Sequence, residues 1–324
     1  MTIYATERLR RFFQSFKHDD HVLILINADP DALASALAVK RLLWRKVAGV
    51  TISHINVISR PDNLTMIRLL QIDSIYIEQI DKQAFNRFVI VDSQPNHHEI
   101  FGRFQIDVII DHHPETGASA PFIDIRTHYG ATATILTEYL RAARIKPSIR
   151  LATALFHAIK NDTDDFIRKT TIEDIQAFQY LYRFANRHLA QRMEQGDIRY
   201  DFLKYFDQAF HNRRVQKEQL IAHLGSVINP DVCVLIADFF IRIDTISWSI
   251  VSGIYDKKLI IIFRHTGFKK DAGKLAKRVF GQWGTAGGHK SIARAEIPLE
   301  KIKDLVDIKD DKAIQRWIGQ KVKS

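Results

Sequence analysis

The sequence predicts an α/β protein: a parallel-sheet domain, a helical connector, and a second, smaller α/β domain. Three observations carry that expectation. Short, nearly continuous apolar runs rich in β-branched residues recur through the first half, as in strands buried on both faces. Helix-periodic stretches separate them, which is the alternation of a sheet with crossover helices. After a mainly helical middle, strand-like runs return. A length of 324 residues, with 46% hydrophobic and 26% charged residues, suits two globular domains.

Taken in chain order, the first strand candidates are residues 21–26 (HVLILI), 55–59 (INVIS), 74–77 (SIYI), 88–92 (FVIVD) and 107–111 (DVIID). The clearest helix among them is 31–44 (DALASALAVKRLLW), with leucines at 33, 37, 42 and 43. From about Thr132 to about Leu224 the pattern is mostly helical, apolar-periodic at 131–142, 149–161 and 172–184. The charged stretch 183–219 reads either as a solvated helix pair or as a connector. Strand-like runs follow at 232–240, 247–254 and 259–263, then a helix around 273–280 and a glycine-rich turn, GTAGGH, at 284–289. The expected domains are 1–190 and 225–324, with 191–224 connecting them.

Composition narrows the function classes. No apolar run reaches the ~18–20 residues of a bilayer span, and MTIYATERLRRFFQSF lacks the apolar core of a signal peptide. The single cysteine, Cys233, excludes a disulfide scaffold and a cysteine-based zinc site; it suits a reducing cytoplasm, the expected location. A net charge of +10 favours polyanionic partners, and no membrane partner is expected.

Ligands of a parallel sheet collect outside the carboxyl ends of its strands, and four acidic clusters fall at such ends or at a helix end. Asp29 and Asp31 follow the first strand in NADPDALAS, and Asp92 closes a strand in VIVDSQP. Asp111, His112 and His113 close another in IIDHHP, and Asp162, Asp164 and Asp165 end a helix in LATALFHAIKNDTDDF. Carboxylates and imidazoles converging on one edge repel one another unless a cation neutralises them. Oxygen ligands mixed with imidazole suit Mn²⁺ or Mg²⁺, and two such ions ~3.5–4 Å apart can activate a water and clamp a phosphoryl group. Singly, each piece has an ordinary reading: Asp29 or Asp31 as a helix cap, the histidine pair as surface. Together they favour a metal site.

These strings resemble the DHH phosphoesterase superfamily: DHH at 111–113, DPDALAS at 29–35, the strand-ending Asp92, and NDTDDF at 161–166 in place of TDTGxF. GGHKSIARA (287–295) looks like the GGGH motif of the DHHA1 domain that follows DHH in RecJ-type exonucleases, oligoribonucleases and cyclic dinucleotide phosphodiesterases. FRHTGFKKDAGKLAKRVFG (263–281) resembles the segment that precedes it there, so the likeness runs roughly from 22 to 296. The resemblance implies metal ligation by Asp29, Asp31, Asp92, His112 and Asp162, with Asp92 bridging two Mn²⁺ or Mg²⁺ ions. It implies that His113 touches substrate phosphate or assists the leaving group, and that Asp111 orients the histidines. Arg264, Gly287, Gly288 and His289 would hold the substrate end, in a cleft between the domains.

The chain also departs from the family. A histidine ligand usually stands four residues before the first Asp, where this chain has Leu25. Asn27 lies two residues on, pointing the same way if the strand continues. Loss of the imidazole weakens one metal position, which leaves open a one-metal enzyme, a changed metal preference or binding without cutting. Asp164 stands where the family often has Gly, and AGGH and Ile292-Ala293-Arg294 replace a fourth glycine and an Ala-Ala-Gly. Eight Lys or Arg (264, 269, 270, 274, 277, 278, 290, 294) face one acidic residue, Asp271, in the same span. Such a run is usually a solvated face, but here it adjoins the glycine turn and suits a polyphosphate or oligonucleotide end. Phe263, Phe268, Phe280 and Trp283 are candidates to stack a base, or core. With no room for an OB-fold, the expected activity is metal-dependent hydrolysis of small nucleotide phosphates. Short oligonucleotides, 3′-phosphoadenosine 5′-phosphate-like monoesters and linear or cyclic dinucleotides are the candidate substrates. The alternatives are phosphoanhydride hydrolysis, as in exopolyphosphatases and pyrophosphatases, and a degenerate nucleotide-binding protein. A second copy of the chain, as a homodimer, is a further candidate partner.

Overall fold

The run HVLILI becomes the central strand of a parallel sheet because both of its faces are covered. Val22, Ile24 and Ile26 enter a core built with the helices, whereas Leu23 and Leu25 enter a second core with Phe88, Ile90, Phe101 and Ile109. Burial on both faces is why the strand reads as a continuous apolar run. The computed structural model describes residues 3–196, 198–266 and 270–322. The chain divides into two compact units, residues 1–197 and 198–324.

In the first unit the elements are α1 (Ile3–Gln14), β1 (His21–Ile26), α2 (Pro30–Leu42), β2 (Gly49–His54), α3 (Pro61–Leu69), β3 (Ile75–Tyr76) and β4 (Arg87–Val91). There follow β5 (Val108–Asp111), β6 (Phe122–Ile125), α4 (Thr132–Ala142), α5 (Ile149–Asp162), α6 (Ile172–Tyr182) and α7 (Arg187–Gln195). The strands pair in parallel in the order β3-β2-β1-β4-β5-β6. The winding direction therefore reverses between β1 and β4, the position at which an open α/β sheet leaves a crevice at its carboxyl edge.

The second unit comprises α8 (Leu203–Asn212), β7 (Arg214–Gln216), β8 (Gln219–Ser226), α9 (Asp231–Phe240), β9 (Trp248–Tyr255), β10 (Lys258–His265), α10 (Ala272–Phe280), β11 (Thr285–Gly288), β12 (Ile292–Pro298) and α11 (Asp311–Lys321). Its sheet runs β11-β12-β10-β9-β8-β7. Only β8 and β9 are parallel, joined through α9; the other pairs are antiparallel. Among the described residues no helix is long and apolar enough to cross a membrane.

The α/β class is as expected, but several elements differ. The 232–240 run is a helix, not a strand: Val232, Cys233, Ile236, Ala237 and Phe240 are buried at helical spacing while Phe239 is exposed. A run apolar on nearly every side hides its period. The second strand lies at Gly49–His54, and the expected 55–59 strand is the segment that leaves it. The expected 74–77 strand shrinks to two residues before a 3₁₀ turn. The expected connector, 191–224, is divided. Its start ends α7, and the rest builds α8, β7 and most of β8 within the second unit. The glycine turn is mostly an edge strand, β11, in a hairpin with β12.

Candidate metal centre

The crevice between β1 and β4 gathers its acidic groups from the ends of four elements. Asp29 caps α2, accepting the Ala32 N–H at 2.9 Å. Asp31, in the first turn of the same helix, is fully buried. Its Oδ2 accepts the Thr132 N–H at 2.6 Å and its Oδ1 the Ala133 N–H at 2.8 Å, both at the N-terminus of α4. Asp92 follows β4 in the left-handed region, φ +58°, which non-glycine residues adopt infrequently. Its Oδ1 accepts the Thr132 hydroxyl at 2.9 Å. His112 follows β5, and Asp162 is the last residue of α5.

His112 decides what this arrangement can hold. Its Nδ1 lies 3.2 Å from the Tyr129 carbonyl oxygen. A carbonyl only accepts, so Nδ1 carries the proton and the neutral ring presents a lone pair at Nε2. Nε2 is buried without a hydrogen-bond partner, 3.3 Å from Asp162 Oδ2 and 3.5 Å from Asp92 Oδ1. One ligand atom each from Asp31, Asp92, His112 and Asp162 lie within 4.8 Å of one another. Nε2 facing two carboxylates is unfavourable unless a proton or a metal cation lies between them. Three carboxylates with one imidazole suit a hard divalent ion, so these residues fit such a group.

The acid–base properties express the same crowding. Burial, then the charge of Asp162, pushes Asp31 up to about 8 and Asp29 up to about 6. Burial, followed by the charges of Asp31 and Asp29, pushes Asp92 well above the carboxylate range. Burial opposes the charged form of His112, but the carboxylates of Asp162 and Asp31 outweigh it and raise the ring to about 9, so without an ion a proton on Nε2 takes the place a cation would fill.

Asp111 is committed to orientation. Its Oδ1 accepts the His112 N–H at 2.8 Å, the His113 N–H at 3.2 Å and His113 Nδ1 at 2.8 Å; its Oδ2 accepts Gln94 Nε2 at 2.7 Å. Burial pushes Asp111 up, but the hydrogen bonds from His113 and Gln94 prevail and lower it. The bond to Asp111 raises His113 in turn. With Nδ1 engaged and a side chain 44% exposed, His113 has its Nε2 for an incoming group. Asp92, His112 and His113 form a second group with ligand atoms within 4.8 Å.

The remaining sites lie outside these groups. Asp29 is in neither. Leu25 is fully buried in the core layer of Leu23 and Ile90, and Asn27 is exposed. Asp164 and Asp165 are exposed and pair with Arg168 at 3.6 Å and Lys160 at 3.2 Å, so the additional carboxylates are solvated charges. Sequence reasoning missed Gln94, Tyr129 and Thr132. Gln94 is fully buried, and its Oε1 accepts the Thr116 N–H and hydroxyl, each at 2.8 Å. None of the three stands in a recognisable motif, because each acts on a partner distant in the chain.

In the second unit, Arg264 is paired with Asp238 through Nε and Nη2, and its Nη1 reaches the Phe263 carbonyl at 3.1 Å. Gly273 and Gly288 serve packing. Gly288 has φ +147°, and a Cβ there would lie 2.2 Å from the Ile292 oxygen; a Cβ on Gly273 would lie 2.2 Å from the Gly288 oxygen. The first N–H groups of α10 are used here: Ala272 donates to Lys290 O and Gly273 to His289 O, both at 2.9 Å. Gly287 faces open space, and the His289 side chain is exposed. Phe263 and Phe280 are fully buried, and Trp283 packs on Trp317 with ring centroids 5.3 Å apart. Phe268 and Lys269 lie outside the described residues. Lys270, Lys274, Lys277, Arg278 and Lys290 are exposed, and the exposed Arg294 pairs with Glu296 at 2.8 Å.

Comparison with known proteins places these features in context. Residues 21–159 match the profile of the DHH family, N-terminal domain. An uncharacterised protein of Methanocaldococcus jannaschii is 34% identical over 304 residues, which cover 94% of this chain and 62% of that protein. The chain thus spans less than two thirds of its curated relative. Among solved structures, an exopolyphosphatase-related protein from Bacteroides fragilis is similar with a TM-score of 0.68 at 16% identity, covering 96% of this chain and all of that one. The exonuclease RecJ bound to manganese is similar with a TM-score of 0.50 at 11% identity, covering 96% of this chain and 93% of that one. At these identities the likeness is one of fold.

Proposed function

We propose that this chain, whose residues 21–159 match the DHH family, N-terminal domain, is a divalent-metal-dependent phosphoesterase acting on small nucleotide phosphates. The observation that carries the reading is the unpartnered Nε2 of His112 facing Asp92 and Asp162 at the β1–β4 reversal. Asp31, Asp92, His112 and Asp162 would hold Mn²⁺ or Mg²⁺. When bound, such an ion would polarise a phosphoryl oxygen and acidify a water whose hydroxide can attack the phosphorus as the ester oxygen leaves.

The chain's own residues supply the rest. Thr132 keeps Asp31 and Asp92 in place by hydrogen bonds at 2.6 and 2.9 Å. Asp111 holds His113 so that its Nε2 can donate a proton to a phosphate oxygen or to the departing alkoxide. With Leu25 buried in the core, a second ion beside Asp92 would have one imidazole fewer to hold it. The exposed lysines of α10 and the β11–β12 hairpin favour an anionic substrate such as a short oligonucleotide or a 3′-phosphorylated nucleotide.

The test is a hydrolysis panel run with and without Mn²⁺. It covers 3′-phosphoadenosine 5′-phosphate, a linear and a cyclic dinucleotide, pyrophosphate and an aryl phosphodiester. Mn²⁺-dependent turnover of a nucleotide is the expected result. Turnover of pyrophosphate alone would replace this reading with phosphoanhydride hydrolysis. Silence from folded, Mn²⁺-loaded protein would replace it with nucleotide binding without cleavage, the reading that Leu25 favours.

A further inference from the structure

Asp174 belongs to none of the acidic clusters at the crevice, yet it is fully buried in the first turn of α6 and accepts four hydrogen bonds. Its Oδ2 accepts the Gly130 N–H at 2.9 Å, the Thr171 N–H at 2.8 Å and the Thr171 hydroxyl at 2.9 Å. Its Oδ1 accepts the Thr134 hydroxyl at 2.6 Å. The bonds to Thr171 form an ordinary capping box. Those to Gly130 and Thr134, 44 and 40 residues away in sequence, do nothing for the cap.

We infer that Asp174 is a positioning residue of the metal centre, clasping the segment that orients three of its ligands to the loop that follows the fourth. The segment is 129–134. The Tyr129 carbonyl fixes His112, the Thr132 and Ala133 N–H groups hold Asp31, and the Thr132 hydroxyl holds Asp92. Gly130 and Thr134, the residues that Asp174 grips, alternate with these contacts. The loop is 163–171, which begins directly after Asp162. It closes on Gly130 so tightly that a Cβ there would lie 2.6 Å from Thr163 Cγ2 and 3.0 Å from both Asp174 Oδ2 and the Lys169 oxygen. One buried carboxylate therefore sets the spacing between the N-terminus of α4 and the end of α5.

The inference rests on the metal-centre reading above and deepens it. Its test is calorimetric titration of Mn²⁺ into the metal-stripped full chain, together with the melting temperature of the metal-free form. Asp174→Asn turns an acceptor into a donor facing N–H groups, and Thr134→Val removes one bond of the clasp while leaving the capping box. Outer hydrogen bonds of metal sites contribute about 10- to 100-fold in affinity, so Asp174→Asn should raise the Mn²⁺ Kd at least about tenfold, and Thr134→Val several-fold. Asn186→Ala, which removes the side-chain cap of α7 outside the clasp, should lower the melting temperature and leave the Kd unchanged. The inference is overturned if all three variants lower the melting temperature yet bind Mn²⁺ as the wild type does. If Asp174→Asn does not fold, Thr134→Val decides. Wild-type protein that takes up neither Mn²⁺ nor Mg²⁺ would overturn the metal-centre reading, and the inference with it.

Discussion

Asp92 is shared by both groups of ligand atoms, accepts the Thr132 hydroxyl and sits in a left-handed backbone turn, so its removal reaches further than one lost contact. Asp92→Asn should reduce turnover by at least about 100-fold and abolish the rise in melting temperature on adding Mn²⁺. A variant with wild-type turnover would end the metal-centre reading. Asp31 allows a signed test. Its carboxyl titrates at about 8 in the folded, metal-free protein, against about 3.9 in an unfolded chain. The folded state therefore binds more protons between those values, and the contribution of Asp31 to stability falls as pH rises through that window. In Asp31→Asn that component of the slope should vanish, as melting curves at pH 6 and pH 8 would show. The clustering of Asp31, Asp92, His112 and Asp162 was legible because each stands at the end of its own strand or helix. Thr132 and Gln94 were not, since a threonine opening a helix and a glutamine after a strand are unremarkable until the chain folds back on them.

Helix α5 carries a second titratable group that the site does not use. His157 is buried with neither ring nitrogen hydrogen-bonded, and burial lowers its pKa. A depressed histidine contributes full stability above its unfolded value of about 6.5 and loses it as pH falls below, by up to about 1.4 kcal/mol per pH unit. Replacing it by Leu should flatten that part of the decline between about pH 6.5 and 5. Equal slopes in both proteins would show that the ring is protonated without cost. At α10 and β11 the glycines separate packing from binding. Gly273→Ala places a methyl 2.2 Å from a backbone oxygen and should destabilise by about 1–3 kcal/mol. Gly287→Ala, facing open space, should leave the melting temperature unchanged. Sequence patterning could not anticipate this, because the motif GGH reads the same whether its glycines approach a phosphate or a neighbouring helix. The misread of α9 has a related cause: the nine-residue run 232–240, interrupted only by Asp238, has too few polar positions to reveal its period.

Across the whole molecule, the four residues proposed to hold the ion all lie in the first unit, whereas the exposed lysines of α10 belong to the second. Replacing Lys274, Lys277 and Arg278 together by alanine should therefore raise KM several-fold, with a weaker salt dependence, and leave the Mn²⁺ Kd untouched. A changed Mn²⁺ Kd would contradict the separation. The parallel sheet was legible as a class because burial on both faces writes itself into its central strands, β1, β4 and β5. The sheet of the second unit was less so, since its shortest strand, β7, is exposed throughout and polar at two of three positions. The spacing of the ligands along the chain has one more consequence. They occur in the order Asp31, Asp92, His112, Asp162, so a ribosome must extrude α5 before the last of them exists. Ion capture would then report that the first unit has been synthesised through α5, and a product truncated before Asp162 would leave the ribosome unable to load.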